Sequence, residues 1–195
     1  GIPDPEGSGL HLYLNANSAM TIGEVVEESR NNGNRLTDFI LDSHIHKVSP
    51  RLHLLSAPLS PEKADMITGQ DIAGLIKMLK KRYDFIVLDS ATVLNEVTLT
   101  AFDKSDKLFI LIDDELASIK NAGQTLQLLK KLNYNEDKID FLVNRFSSKK
   151  ALKDEILEKT LTRKPYASIP LSDKVSESFK EGYDLVEKNA KDPAV

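Results

Sequence analysis

Between positions 83 and 90 the chain reads Tyr83-Asp84-Phe85-Ile86-Val87-Leu88-Asp89-Ser90. Four consecutive apolar residues, Phe85 to Leu88, are typical of a strand that is buried on both faces, as strands of parallel sheets are. Because a charge is costly in a core, we expect Asp89 at the carboxyl end of that strand, where parallel sheets bind their ligands. Two interpretations of Asp89 stay open. It holds a hydrated magnesium ion, as strand-end aspartates do in nucleotide-hydrolysing folds, or it is a solvated or helix-capping residue.

The composition is that of an ordinary globular protein. The 195 residues are 41% hydrophobic and 29% charged, which suits one domain with a sizeable core. A formal net charge of −4 argues against nucleic-acid binding over the whole surface. The absence of cysteine excludes disulfides and is compatible with a reducing cytoplasm. No apolar run approaches the ~20 residues of a transmembrane segment.

Strand and helix patterns alternate along the chain. A capping box at Thr21 and Glu24 starts one helix, and Ser60-Pro61 starts another. The later predicted elements are helix 95–105, strand 108–112, helix 116–132, strand 139–143, helix 152–161 and strand 166–169. Short links between alternating strands and helices favour crossover connections. The sequence therefore predicts an α/β fold, doubly wound, with a mainly parallel sheet and helices on both faces.

Polar residues and a proline follow the predicted strands. In a parallel sheet the carboxyl ends of the strands meet at one edge, so we expect a rim there formed by Asp89, Asp113, Asp114, Asn144 and Pro170. A nucleotide would lie along such an edge. The Asn144 amide offers both a donor and an acceptor to an adenine base, although capping of the following loop explains an asparagine there equally well.

A phosphate-binding loop is missing from the sequence. No G-x-x-x-x-G-K-[ST] motif occurs in the 195 residues, and Gly7-Ser8-Gly9 is too short to replace it. Tight triphosphate binding therefore lacks its main source of affinity. We expect this chain by itself to be inactive as an ATPase.

Several short motifs occur in a characteristic order. They are Leu52-His53-Leu54-Leu55-Ser56-Ala57-Pro58, the octet from Tyr83 to Ser90, Asn95-Glu96-Val97-Thr98-Leu99, Ser118-Ile119-Lys120-Asn121-Ala122, Phe141-Leu142-Val143-Asn144-Arg145 and Ser168-Ile169-Pro170. Their order and spacing resemble the MinD/ParA class of deviant Walker ATPases, which have a P-loop NTPase fold. The nearest likeness is to the CpaE/TadZ branch, associated with Flp-type pilus assembly. It covers nearly the whole chain from Asp4 onward.

The resemblance implies a site for ATP and Mg²⁺. Asp89 would contact magnesium through water, and Asp4 would be the carboxylate of the switch that orients the attacking water. The residues implied to bind the nucleotide base are Asn144, Arg145, Pro170 and Leu171. Two departures from the family pattern bear on the switches. Glu6 stands where glutamine is usual, and Ser90-Ala91-Thr92 replaces the usual Asp-x-Pro.

The resemblance also implies a single MinD/ParA-like domain over residues 1–195, truncated at its amino end. Residues 1–9 are predicted to be a loop, of which residues 1–3 are compatible with a cloning remnant, and residues 189–195 a loose tail. The P-loop strand, central to the sheet in this family, would precede residue 1. A fold without that strand exposes strand edges and apolar surface, which favours association.

The implied function is that of part of a MinD/ParA-type ATPase acting as a localisation and assembly factor for Flp/Tad-type pili. ATP bound between two copies would make a homodimer a nucleotide-dependent switch. Pilus-assembly or polar-localisation proteins are the expected partners, and the expected location is the cytoplasm, peripheral at the inner membrane or cell pole. The alternatives are a non-catalytic scaffold of the same fold and, less expected, a ParA-like DNA-partition protein with lysine pairs on DNA.

Overall fold

The computed structural model describes residues 21–90, 93–113, 115–146 and 154–181. The chain forms two compact units, Gly1–Ser105 and Asp106–Val195. The predicted loop at 1–9, which includes Asp4, and the predicted tail at 189–195 lie outside the described residues.

The described part of the first unit is mainly helical. Its helices are α1 Ile22–Asn31, α2 Asp38–His44, α3 Pro61–Asp65, α4 Gly69–Leu79 and α5 Glu96–Lys104. Two short strands, β1 His46–Lys47 and β2 His53–Leu54, pair antiparallel. They form a hairpin because the chain turns back at once: the backbone N–H groups of Val48 and Ser49 both donate to the Leu52 carbonyl, at 2.9 and 3.0 Å.

Side-chain caps set where these helices begin. The hydroxyl oxygen of Thr21 accepts from the Gly23 N–H at 3.1 Å, and the Thr21 hydroxyl donates to the Glu24 carboxylate. Ser60 accepts from the Lys63 N–H at 3.4 Å, with Pro61 at the first helical position. Both predicted helix starts are therefore confirmed. Each cap contributes about 1 kcal/mol by satisfying an N–H that has no partner inside its helix.

A small apolar core holds α2 and α4 together. Leu41, Ile45 and Leu75 are buried, and Tyr83 packs against them. The Tyr83 hydroxyl lies 2.7 Å from Nδ1 of His53, which ties the residue to β2. Tyr83 thus anchors the chain two residues before the predicted strand that begins at Phe85.

The second unit is a parallel sheet whose strands are connected by helices. Its elements are β3 Leu108–Asp113, α6 Leu116–Lys131, a 3₁₀ turn Glu136–Lys138, β4 Ile139–Phe146, α7 Asp154–Leu161, β5 Ala167–Pro170 and α8 Asp173–Glu181. The strands pair in the order β3-β4-β5, and both pairs are parallel. This alternation confirms the predicted α/β class and the three later strands.

The core of this unit lies on one face of the sheet. On β4 the buried residues alternate as Ile139, Phe141 and Val143. Ile119 and Leu129 of α6 are also buried, at 0% and 1% exposure. The predicted strand 108–112 is present, but it is buried on one face only, because Leu111 is 62% exposed while Ile112 is 2% exposed. An alternating pattern of this kind indicates a strand covered on one face only.

The prediction of a strand at residues 85–89, hereafter the 85–89 run, is wrong. Residues 85–90 belong to no helix or strand, and Phe85 and Val87 are 90% and 92% exposed. Four apolar residues in an extended chain become a strand only when a neighbouring strand pairs with their backbone groups. Among the described residues no strand pairs with them.

Candidate functional site

The carboxyl edge of the second unit's sheet carries a polar rim. Asp113 is the last residue of β3, Asn144 lies near the end of β4, and Pro170 ends β5. Asp113 and Asn144 are direct partners in the ladder. Since the strands are parallel and adjacent, the three residues lie at the same edge of the sheet, as the sequence predicted for them. Asp114 lies outside the described residues.

The corner between β3 and α6 is built by hydrogen bonds to Asp113. Its backbone N–H donates to the Ser118 hydroxyl oxygen at 3.0 Å, and its carbonyl accepts from the Glu115 N–H at 2.7 Å. These contacts turn the chain directly from the strand end into α6. Asp113 itself is exposed at this edge.

An irregularity in β4 separates Asn144 from the end of its strand. Between matched pairs, β4 advances from Val143 to Phe146 while β5 advances only from Ser168 to Pro170. The one extra residue is a β-bulge, and within it Arg145 has a φ of 54°. Left-handed backbone is uncommon for residues other than glycine, asparagine and aspartate. The residue types at this position carry no signal of it, so sequence reasoning missed it.

The side chains around the bulge differ in exposure. Asn144 is half-buried, whereas Arg145 is exposed. Pro170 is half-buried and Leu171, immediately after β5, is 54% exposed. An amide with both donor and acceptor at the same sheet edge as a proline and a leucine is suited to a flat heterocycle with polar edges.

Neither Asp89 nor Asp4 is among the described residues of this unit. Asp89 belongs to the first unit, where it is exposed and outside any helix or strand. Asp4 lies outside the described residues. Within the part of the chain that the structure describes, no group of three or more His, Asp or Glu side chains is arranged to hold a metal ion. The magnesium and water-orienting roles of the two aspartates stay predictions.

Two other features of the described residues bear on ligand binding. A cavity of about 100 Å³ lies beside α1 and α4, lined by Val25 and Asp71 among others. Ligand pockets usually measure roughly 300–1,000 Å³, so this cavity is too small for a nucleotide. None of the described helices has the length and apolar character that crossing a bilayer requires.

The opposite, amino end of β4 is held by charged groups. One guanidinium nitrogen of Arg163 donates to the carbonyls of Glu136 and Ile139, at 2.8 and 2.7 Å, and the other donates to the Glu136 carboxylate at 3.0 Å. Lys130 approaches the same carboxylate to 2.9 Å. The hydrogen bond from Lys130, assisted by Arg163, lowers the pKa of Glu136 below its usual 4.5. These contacts join the 3₁₀ turn to the first residue of β4, so the cluster is structural.

Comparison with known proteins identifies the family. A family model described as an AAA domain matches residues 10–141, which is more than half of the chain. The septum site-determining protein MinD of Thermotoga maritima is 27% identical over 135 residues, covering 67% of this chain and 49% of the relative. The chain spans about half the length of the curated relatives it matches, at 49% and 44%.

Solved structures agree on the fold. A ParA family ATPase from Chlorobium tepidum TLS matches with a TM-score of 0.84 at 24% identity, over 95% of this chain and 76% of that chain. The septum site-determining protein MinD complexed with Mg-ADP, from Pyrococcus horikoshii OT3, matches with a TM-score of 0.73 at 20% identity, over 95% and 73%. The architecture is therefore that of the P-loop NTPase fold. The match to residues 10–141 shows that this chain belongs to the AAA domain family, and the parallel sheet of its second unit agrees with that fold.

Proposed function

We propose that this chain is part of a MinD/ParA-type ATPase and that the carboxyl edge of its β3-β4-β5 sheet receives the adenine of ATP. The observation that carries the proposal is the parallel ladder, in which Asn144 pairs with Asp113 and Pro170 ends the next strand. Arg145 and Leu171 are exposed beside them. In open parallel sheets this edge is where nucleotides bind.

The residues present suit such a ligand. The half-buried Asn144 amide can both donate to and accept from a base edge, and Pro170 and Leu171 offer apolar surface to its faces. Asp89 would hold Mg²⁺ through water and Asp4 would orient the attacking water. Bound magnesium and triphosphate would supply the charge and the reactive phosphoryl group. The relative that is complexed with Mg-ADP supports this choice of cofactors.

The biological setting is proposed from the resemblance. The chain is taken as a single domain over residues 1–195, which the family match supports because it runs across residue 105, the boundary between the two compact units. It would act as a localisation and assembly factor for Flp/Tad-type pili, as a nucleotide-dependent homodimer in the cytoplasm, peripheral at the inner membrane or cell pole. A MinC:MinD complex from Aquifex aeolicus among the structural neighbours supports function through protein partners.

A non-catalytic scaffold of the same fold is the second candidate. It is favoured by the missing G-x-x-x-x-G-K-[ST] motif and by the exposed apolar 85–89 run, in which Phe85 is 90% exposed. Apolar surface of this kind promotes association with other chains. DNA partition is less favoured, because the net charge is −4 and Lys130, one of the paired lysines, is engaged with Glu136.

Calorimetric titration with Mg-ATP tests the proposed site. We expect weak but saturable binding, and Asn144→Ala should weaken it about fivefold by removing one net hydrogen bond. The matched control is Gln127→Ala, which removes an amide from the exposed side of α6 in the same unit and should bind as the wild type does. Equal affinity of Asn144→Ala and wild type would contradict the base site. Absence of any binding would favour the second candidate function, the non-catalytic scaffold.

A further inference from the structure

The bulge in β4 is the strained feature nearest the candidate base site. Arg145 adopts a φ of 54°, a conformation that an L-residue with a side chain enters only at a cost of roughly 1–2 kcal/mol. Such strain persists where the surrounding structure enforces it, and it is concentrated at functional sites. Bulges are similarly enriched next to active sites, where they redirect a side chain.

The bulge alters the pairing of β4 immediately after Asn144. Asn144 is still in register with Asp113 of β3, so its backbone is fixed on that side. On the other side, an unbulged strand would place Arg145 opposite Pro170, but the extra residue brings Phe146 there instead. Arg145 is thereby released from the ladder and exposed. Asn144 lies between a regular pair and a left-handed residue, which restricts the direction of its side chain.

A fixed amide is what discrimination between purines requires. The Watson–Crick edge of adenine offers an acceptor beside a donor, and that of guanine offers the reverse order. An asparagine amide carries one acceptor and one donor group, so rotation by half a turn would let it pair with either base. Only an amide held in one orientation selects adenine.

We propose that the left-handed backbone of Arg145 is a positioning device for the Asn144 amide, and that it makes this site select adenine over guanine. The inference rests on the proposed base site, and it assigns the selectivity to backbone geometry instead of to the Arg145 side chain. Glycine at position 145 would keep the geometry without strain, whereas a β-branched residue would oppose it.

Titration of the ¹⁵N-labelled chain with AMP and with GMP tests this, since neither ligand depends on a triphosphate cradle. The wild type should bind AMP more tightly than GMP and shift the Asn144 side-chain amide signals. Arg145→Gly also removes a side chain at the site, so it should weaken AMP and GMP alike and keep the ratio of their affinities within about twofold of the wild-type ratio. Arg145→Val should reduce that ratio about tenfold, because a β-branched residue opposes the left-handed conformation more strongly than arginine does.

The control variant is Asn133→Val. Asn133 also has a positive φ, of 60°, but follows α6 at the other end of β4, so this variant should lose stability and keep the wild-type ratio. If Arg145→Val keeps the wild-type ratio, or Arg145→Gly loses it as fully as Arg145→Val, the positioning role is overturned while the base site stands. If the wild type binds neither nucleotide, the base site and this inference both fall.

Discussion

The 85–89 run and strand β3 have similar sequences and opposite environments. Each is a short series of apolar residues that ends on an aspartate, Asp89 in one case and Asp113 in the other. In β3, Leu108 and Ile112 are 7% and 2% exposed, and every residue of the strand pairs with β4. In the 85–89 run, Phe85 and Val87 are 90% and 92% exposed and belong to no strand.

The difference shows what an apolar run needs in order to become a strand. β3 has a parallel neighbour whose backbone groups pair with its own. Buried side chains of α6, such as Ile119, also pack against one face of β3. Among the described residues no strand pairs with the 85–89 run, and three of its four apolar side chains are exposed. Burial and pairing come from other parts of a chain, so the same local pattern is compatible with both outcomes.

The largest expected effect is a difference in stability loss when a phenylalanine is replaced by alanine in each of the two regions. Phe141→Ala should lower the free energy of unfolding by about 3–5 kcal/mol, because Phe141 is fully buried in β4 and its removal leaves a cavity. Phe85→Ala should change it by less than about 0.5 kcal/mol, because that side chain is 90% exposed. Urea denaturation of both variants measures the contrast. Similar losses would mean that the 85–89 run is packed in the native protein.

The next effect is the loss of stability when the hydrogen bonds at the amino end of β4 are removed. Arg163→Ala removes three hydrogen bonds that hold the 3₁₀ turn and the first residue of β4, so we expect a loss of about 2 kcal/mol. Lys164→Ala is the matched control, since Lys164 is 82% exposed and its ion pair with Glu158 spans 3.4 Å. Equal stability of the two variants in urea would show that the anchoring of β4 lies elsewhere.

A smaller effect of opposite sign is expected at the end of α7. Thr162 follows that helix with a φ of 60°, a position where helices usually carry glycine. Thr162→Gly should stabilise the protein by about 0.5–1 kcal/mol by relieving the strain of a β-branched residue. Thr125→Gly, inside α6, should instead destabilise it by about 0.5–1 kcal/mol, since glycine weakens a helix interior. A thermal unfolding midpoint that falls with Thr162→Gly would contradict this.

The smallest effect is on the pH dependence of the folding stability of the second unit. The hydrogen bond from Lys130, assisted by Arg163, lowers the pKa of Glu136 in the folded protein below 4.5. A lowered pKa means that this carboxylate contributes stability above pH 4.5, and the contribution is lost as the pH falls through the folded value. Glu136→Gln should therefore lose stability less steeply than wild type under acid conditions. Lys130→Gln should act in the same direction, and an unchanged acid profile in both would refute the assignment.

Much of this structure was predictable because it depends on local chemistry. The caps at Thr21 and Ser60 use hydrogen bonds between residues two or three positions apart, so the helix starts can be predicted from the sequence. The alternation of strands and helices after residue 107 predicted the parallel sheet, and with it the position of Asn144 and Pro170 at one edge.

Other features depend on contacts that no local pattern encodes. The hairpin of β1 and β2, the exposure of the 85–89 run and the bulge at Arg145 each depend on which strand lies alongside. The residues of the chain determine which segments are apolar and where helices begin, since those are properties of neighbouring residues. Only the tertiary structure decides which apolar segment is paired and which backbone is strained, because hydrogen bonds across a sheet join residues far apart in sequence.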